Sequence, residues 1–131
     1  MHGMDIDPVL LARYDDRFSA TFRVSHLHAD YLARGRFGYD FAICNPPFSQ
    51  AQEFVTKLRG DYPEAQVAVL LRLAFLESKK RLAWWATVGT PSIRVLIPRP
   101  SFNAQGTCDM AAYAWFCWNW PGPPLAWLAR P

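Results

Sequence analysis

The segment Asn45-Pro46-Pro47-Phe48 holds the residues best suited to chemistry. It follows an apolar run, Tyr39-Asp40-Phe41-Ala42-Ile43-Cys44, that stops abruptly at the first proline. Proline has no N–H for a strand ladder, so two in succession turn the chain out of a sheet. A rigid loop at the carboxyl end of a buried strand then presents an amide side chain, a proline carbonyl and an aromatic ring. The two carbonyl oxygens can accept both hydrogens of an exocyclic amine, while Phe48 stacks on the ring that carries it. Holding an extruded nucleobase by its amino edge requires those groups. Open α/β sheets also place their ligands at the carboxyl ends of strands. An ordinary strand exit with turn prolines shares this string, so the rest of the chain must discriminate.

Two acidic residues lie upstream, Asp5 in Met4-Asp5-Ile6-Asp7-Pro8 at the short first strand and Asp30 in Ala29-Asp30-Tyr31-Leu32, within the polar stretch that follows the next one. His26 and His28 alternate and would share one strand face. No third ligand lies nearby, and no metal site is expected. Lys79, Lys80, Arg81 and Arg99 fall in predicted loops and helix ends, where they suit phosphate contacts or serve as solvated surface charge.

The elements that must position these groups follow from the hydrophobic pattern. Met4–Ile6 is a short first strand, and Asp7 caps a helix that starts with Pro8 and reaches about Phe18. Thr21–Ser25 alternates like a half-buried strand, and His26–Gly38 reads as loop with one helical turn. After the strand at 39–44, Ser49 caps a helix through Arg59 that stops at Gly60, with Glu53 early and Lys57 and Arg59 late, as the helix dipole prefers. Gln66–Leu73 is a buried strand, followed by a helix from about Phe75 through Trp85. Ile93–Ile97 and Ala112–Trp118 form a late antiparallel pair. Pro121-Gly122-Pro123-Pro124 ends regular structure. The rhythm predicts an α/β domain with a mainly parallel sheet. The run Trp115-Phe116-Cys117-Trp118-Asn119-Trp120 is expected in core and edge packing rather than as a base-stacking platform.

Composition bounds the class. A chain of 131 residues has room for one domain, 1–131, and 51% hydrophobic with 15% aromatic content excludes disorder and a coiled coil. No run approaches the roughly 18–20 apolar residues of a membrane span. The start of the chain lacks the basic and apolar segments of a secretory signal. The net charge of +3, from 14 basic and 11 acidic residues, permits a nucleic-acid partner without predicting one. Three widely spaced cysteines, Cys44, Cys108 and Cys117, read as buried thiols in a reducing compartment. A cytoplasmic protein is expected.

The N-P-P-F string resembles the N-P-P-[YF] motif of the N6-adenine-specific DNA methyltransferases, class I enzymes that use S-adenosylmethionine. The resemblance implies that Asn45 and Pro46 hold the target amine, that Pro47 completes the motif and that Phe48 stacks on the flipped adenine. Asp5 matches the carboxylate that binds the donor's ribose hydroxyls, and Asp30 the one that contacts its adenine amine. Leu71–Arg81, Arg99-Pro100-Ser101-Phe102, Gly106-Thr107-Cys108-Asp109 and Tyr113-Ala114-Trp115-Phe116 resemble segments of the phage-type enzymes, so the likeness spans most of the chain. It implies a bacterial or phage-encoded protein, DNA as partner and Lys79, Lys80, Arg81 and Arg99 near its phosphates. One feature of the family is missing. No glycine-rich G-x-G turn precedes Asp5 or occurs later, so donor binding is in doubt and the chain looks truncated at its N-terminus. The expected fold is a partial Rossmann-like methyltransferase fold, mostly parallel, with a C-terminal antiparallel hairpin and its first strand missing. A chain lacking that strand is expected to close the gap by pairing the strand before Pro8 with the one before Asn45, by self-association, or with a complementing subunit. A non-catalytic protein that binds DNA or a partner is the alternative to an enzyme.

Overall fold

The structure, a computed structural model, describes residues 2–5, 25–28, 31–33, 40–101 and 110–129. The chain divides into two units, Met1–Phe37 and Gly38–Pro131.

In the first unit, β1 (His2–Asp5) and β2 (Ser25–His28) form a parallel pair, with Asp5 opposite His28. Strand β1 begins two residues before the expected Met4. The strand expected at Thr21–Ser25 is observed at Ser25–His28, so His26-Leu27-His28, expected as loop, is strand. The sequence His26-Leu27-His28 alternates polar and apolar residues with the period of two of a strand. The helix expected over Asp7–Phe18 lies outside the described residues.

The second unit is mixed α/β. Its five strands are β3 (Phe41–Cys44), β4 (Gln66–Arg72), β5 (Ser92–Ile97), β6 (Tyr113–Trp118) and β7 (Leu125–Ala129). They are ordered β3-β4-β6-β5-β7. Strand β6 is antiparallel to both β4 and β5, while β3 is parallel to β4 and β7 to β5. The expected hairpin of β5 and β6 is therefore present. The sheet is mixed rather than mainly parallel, because β6 inserts between β4 and β5 and supplies both antiparallel pairings. The tail differs as well. Pro121–Pro124 does not end regular structure: the Pro124 carbonyl accepts the Ile93 N–H at 2.7 Å, and the Arg94 guanidinium donates to the Pro123 and Pro121 carbonyls at 2.6 and 3.3 Å. Those bonds align Leu125–Ala129 against β5.

The core follows from uninterrupted apolar runs. Val67 through Leu71 of β4 are all buried, so both faces of that strand are covered. Val67, Val69 and Leu71 pair across to Trp118, Phe116 and Ala114 of β6 on one face. Helix α1 (Ala51–Asp61) buries Ala51, Val55 and Leu58 at helical spacing. Helix α2 (Leu82–Val88) is tied to α1 by the Trp84 indole N–H on Thr56 Oγ1, at 2.8 Å, and by Arg59 Nε on the Val88 carbonyl. Trp85 of α2 stacks on Phe116 at 6.2 Å, and Trp118 donates to the Gly89 carbonyl at 2.8 Å. Within the aromatic run, Phe116, Cys117 and Trp118 are buried, Trp115 and Trp120 are half-buried and Asn119 is exposed.

Local chemistry corrects three helix boundaries. Ser49 does not cap α1. It sits inside a 3₁₀ turn, Phe48–Gln50, that feeds the helix, and Gln50 holds the N-cap position without a side-chain bond. Gly60 is not the stop either, since the helix runs on to Asp61, where the Lys57–Asp61 ion pair closes at 2.9 Å. The expected helix from Phe75 is two 3₁₀ turns, Leu73–Phe75 and Lys79–Arg81, before α2 begins at Leu82.

Candidate functional site

Strand β3 delivers Asn45-Pro46-Pro47-Phe48 past its carboxyl end. Pro46 is buried and anchors the loop, while Asn45 and Pro47 are exposed. The Pro47 carbonyl accepts the Gln50 N–H at 2.9 Å, which closes the 3₁₀ turn and fixes the exit angle. Among the described residues, no hydrogen bond engages the Asn45 side chain or the Pro46 carbonyl. Asn45 is thus exposed to a ligand, whereas Pro46 is a buried residue.

The Phe48 ring is 43% exposed. It leans on Tyr113 at 5.8 Å between centroids, and the Arg72 guanidinium lies 4.7 Å from its centre. Arg72 is itself oriented, since its Nε–H donates to the Tyr113 hydroxyl at 3.1 Å. Beyond it, the Arg81 guanidinium covers the Phe75 ring at 3.9 Å and donates to the Phe75 carbonyl at 3.0 Å. Phe48, Leu71, Arg72, Ala74, Phe75 and Arg81 line a cleft of about 190 Å³.

Strand direction explains why these groups meet. Strands β3, β4 and β5 run the same way, so Asn45–Phe48, Arg72–Arg81 and Arg99 all lie at one end of the sheet, where β6 begins at Tyr113. Lys79 and Lys80 are exposed on the turn before α2, and exposed Arg99 donates to the Met110 carbonyl at 3.0 Å. Of the expected cationic residues, Arg81 lines the cleft. Asp5 ends β1 at its carboxyl terminus, in the first unit, whereas Asn45 belongs to the second. Asp30 lies outside the described residues. Sequence reasoning missed Arg72 and Tyr113 as parts of the site. Their signal was positional: Arg72 ends a buried strand parallel to β3, and Tyr113 opens the strand paired with it.

No protein-family model matches the sequence, and no curated protein matches it. The functional reading therefore rests on the motif and on the groups around it. Among the described residues, no three His, Cys, Asp or Glu side chains gather to hold a metal ion. No described helix is long and apolar enough to cross a membrane.

Cys44, next to Asn45, has a titration that can be followed. Burial pushes its thiol from 9.0 up to about 12, and burial also raises Cys117, partly offset by Arg94. A folded-state pKa above the unfolded one means that the native state holds its proton longer. The resulting stability is present below about pH 9 and is lost as pH rises toward 12. Thermal melts from pH 8 to 11 are expected to show a falling midpoint, with a shallower fall for Cys44→Ala. An identical fall in both proteins would contradict this assignment.

Proposed function

We propose that the chain is an adenine-N6 DNA methyltransferase-like protein with a partial Rossmann-like fold. The observation that carries this reading is the exposed Asn45 amide beside the Pro46 carbonyl and the half-open Phe48 ring, held beyond the end of β3. Asn45 and Pro46 accept the two hydrogens of an adenine amine and orient its nitrogen for attack, a gain from positioning and from fixed dipoles. Phe48 offers a face to the extruded base. Exposed Lys79, Lys80 and Arg99 at the same end of the sheet suit a DNA backbone.

The donor, S-adenosylmethionine, supplies the methyl group. Asp5 stands at the carboxyl end of a parallel strand, where a carboxylate can bind ribose hydroxyls, and Asp30 follows β2 in the sequence. In this reading Asp5 and Asp30 would hold the adenosine half of that molecule. No G-x-G turn is present for the methionine half. The alternative is a protein that binds DNA or a partner without binding the donor. Calorimetric titration with S-adenosylhomocysteine separates the two. Micromolar binding, lost in Asp5→Ala and Asp30→Ala, supports the enzyme; no binding up to millimolar ligand leaves only the second reading.

The reading includes self-association. Among the described residues β3 pairs only with β4, and Phe41 and Ile43 on its outward face are 46% and 58% exposed. An unpaired apolar edge recruits another strand, and a second copy of the chain supplies one with the same alternation. Light scattering is expected to give a dimer at micromolar concentration, and Ile43→Lys a monomer. A folded wild-type monomer would remove this part of the proposal.

A further inference from the structure

We propose that Tyr113 and Arg72 are positioning residues for Phe48, bracing one side of its ring so that the open face meets the base at a fixed angle. The inference rests on the base-binding reading above and adds to it the groups that hold the stacking ring.

A half-exposed phenyl ring on a loop has no reason of its own to stand still. Phe48 opens the 3₁₀ turn beyond β3 and is 43% exposed. Its side chain can sample several staggered wells unless neighbours close them. A ring ordered only when the ligand arrives gives up part of its stacking energy to that ordering.

Two neighbours remove the freedom. Tyr113 is the fixed point: it is 1% exposed at the first position of β6, with its ring centroid 5.8 Å from that of Phe48 and the planes at 38°. The Arg72 guanidinium is the second. It lies 4.7 Å from the Phe48 centroid and 5.8 Å from that of Tyr113, and its Nε–H donates to the Tyr113 hydroxyl at 3.1 Å. Strand register produces this arrangement, since Arg72 and Tyr113 are direct partners across β4 and β6. The Leu73 N–H donates to the Ala112 carbonyl at 2.9 Å, one step beyond the pair, so the strand ends do not diverge there.

The same geometry excludes direct contact between Tyr113 and a base. At 1% exposure its ring is out of reach, so its contribution passes through Phe48. A guanidinium over one face of a phenyl ring leaves the other face for a base. Both Arg72 and Tyr113 have further interactions, and the brace needs only the contacts named. A functional ring whose rotamer is locked by packing and by a supporting hydrogen bond is preorganised in this way.

The test compares binding of a single-stranded oligonucleotide carrying one adenine with binding of the same strand carrying an abasic site there. Stacking on one aromatic ring gives the wild-type chain a preference for adenine of about 5- to 150-fold, which Phe48→Leu should remove. Tyr113→Phe keeps the buried ring and deletes the acceptor for Arg72. It is expected to lower the preference by about 2- to 10-fold, the worth of one hydrogen bond, with affinity for the abasic strand unchanged. Arg72→Met keeps an unbranched stem and should lower the preference by a similar factor. The ratio cancels any lost phosphate contact, which weakens both strands alike. In the Phe48→Leu background neither substitution should lower the preference further. An unchanged preference in either variant, equal weakening of both strands by Tyr113→Phe, or an additional loss in the Phe48→Leu background overturns the brace and leaves base stacking on Phe48 standing. A wild-type chain without preference for adenine, or a Phe48→Leu variant that keeps it, overturns the base-stacking reading and the brace together.

Discussion

Asn45→Ala is expected to reduce methyl transfer to adenine by roughly 10²–10³-fold, the loss seen when one fixed dipole is removed from a reacting centre. The same substitution should leave stability within about 0.5 kcal/mol, the usual range for surface changes. Asn45 is exposed, and among the described residues its side chain makes no hydrogen bond, so the fold does not depend on it. The prediction lies in that split. A single-turnover assay alongside a thermal melt checks both halves. A large fall in melting temperature would mean that Asn45 shapes the strand exit rather than meeting a ligand.

The largest effect on stability is expected at Phe116. Its side chain is fully buried at the centre of β6, between β4 and β5, with Trp85 stacked on it and Phe75 edge-on at 6.3 Å. Truncation to alanine removes the transfer energy of the ring and leaves a cavity that flanking strands cannot close, at a cost of about 3–5 kcal/mol. That approaches the total stability of many domains, about 5–15 kcal/mol. Trp127 provides the contrast. It carries as large a ring, but on edge strand β7 and 62% exposed, so Trp127→Ala should cost less than about 1 kcal/mol. Urea denaturation of both variants tests the ranking. Equal losses would mean that β7 belongs to the core as much as β6 does.

These two residues illustrate what the sequence could convey. Strands β4, β5 and β6 were legible because continuous apolar runs exceed what any exposed segment carries, and the N-P-P-F exit was legible because proline cannot pair. Strand order was not. Nothing local to Tyr113–Trp118 specifies that it lies between β4 and β5; the tertiary packing of Phe116 against Trp85 and Phe75 accompanies that placement. β7 was missed because Pro121–Pro124 is a chain terminator by local rules, while the Arg94 guanidinium turns those same carbonyls into an anchor for another strand. The segment from Leu73 to Arg81 has helix-forming side chains, yet Arg81 bends back to the Phe75 carbonyl and stabilises turns in place of a continuous helix. Arg72 escaped notice for a related reason. A charged residue at a strand end reads as solvated surface until Phe48 and Tyr113, 24 residues before and 41 after it, are seen around its guanidinium.

The most direct test of the account is mass spectrometry of DNA nucleosides after incubating the purified chain with S-adenosylmethionine and adenine-containing single-stranded DNA. N6-methyladenine that accumulates with protein concentration, and that disappears with Asn45→Ala, is the predicted result. DNA that stays unmethylated with a folded wild-type chain, at a level no different from Asn45→Ala, would contradict it.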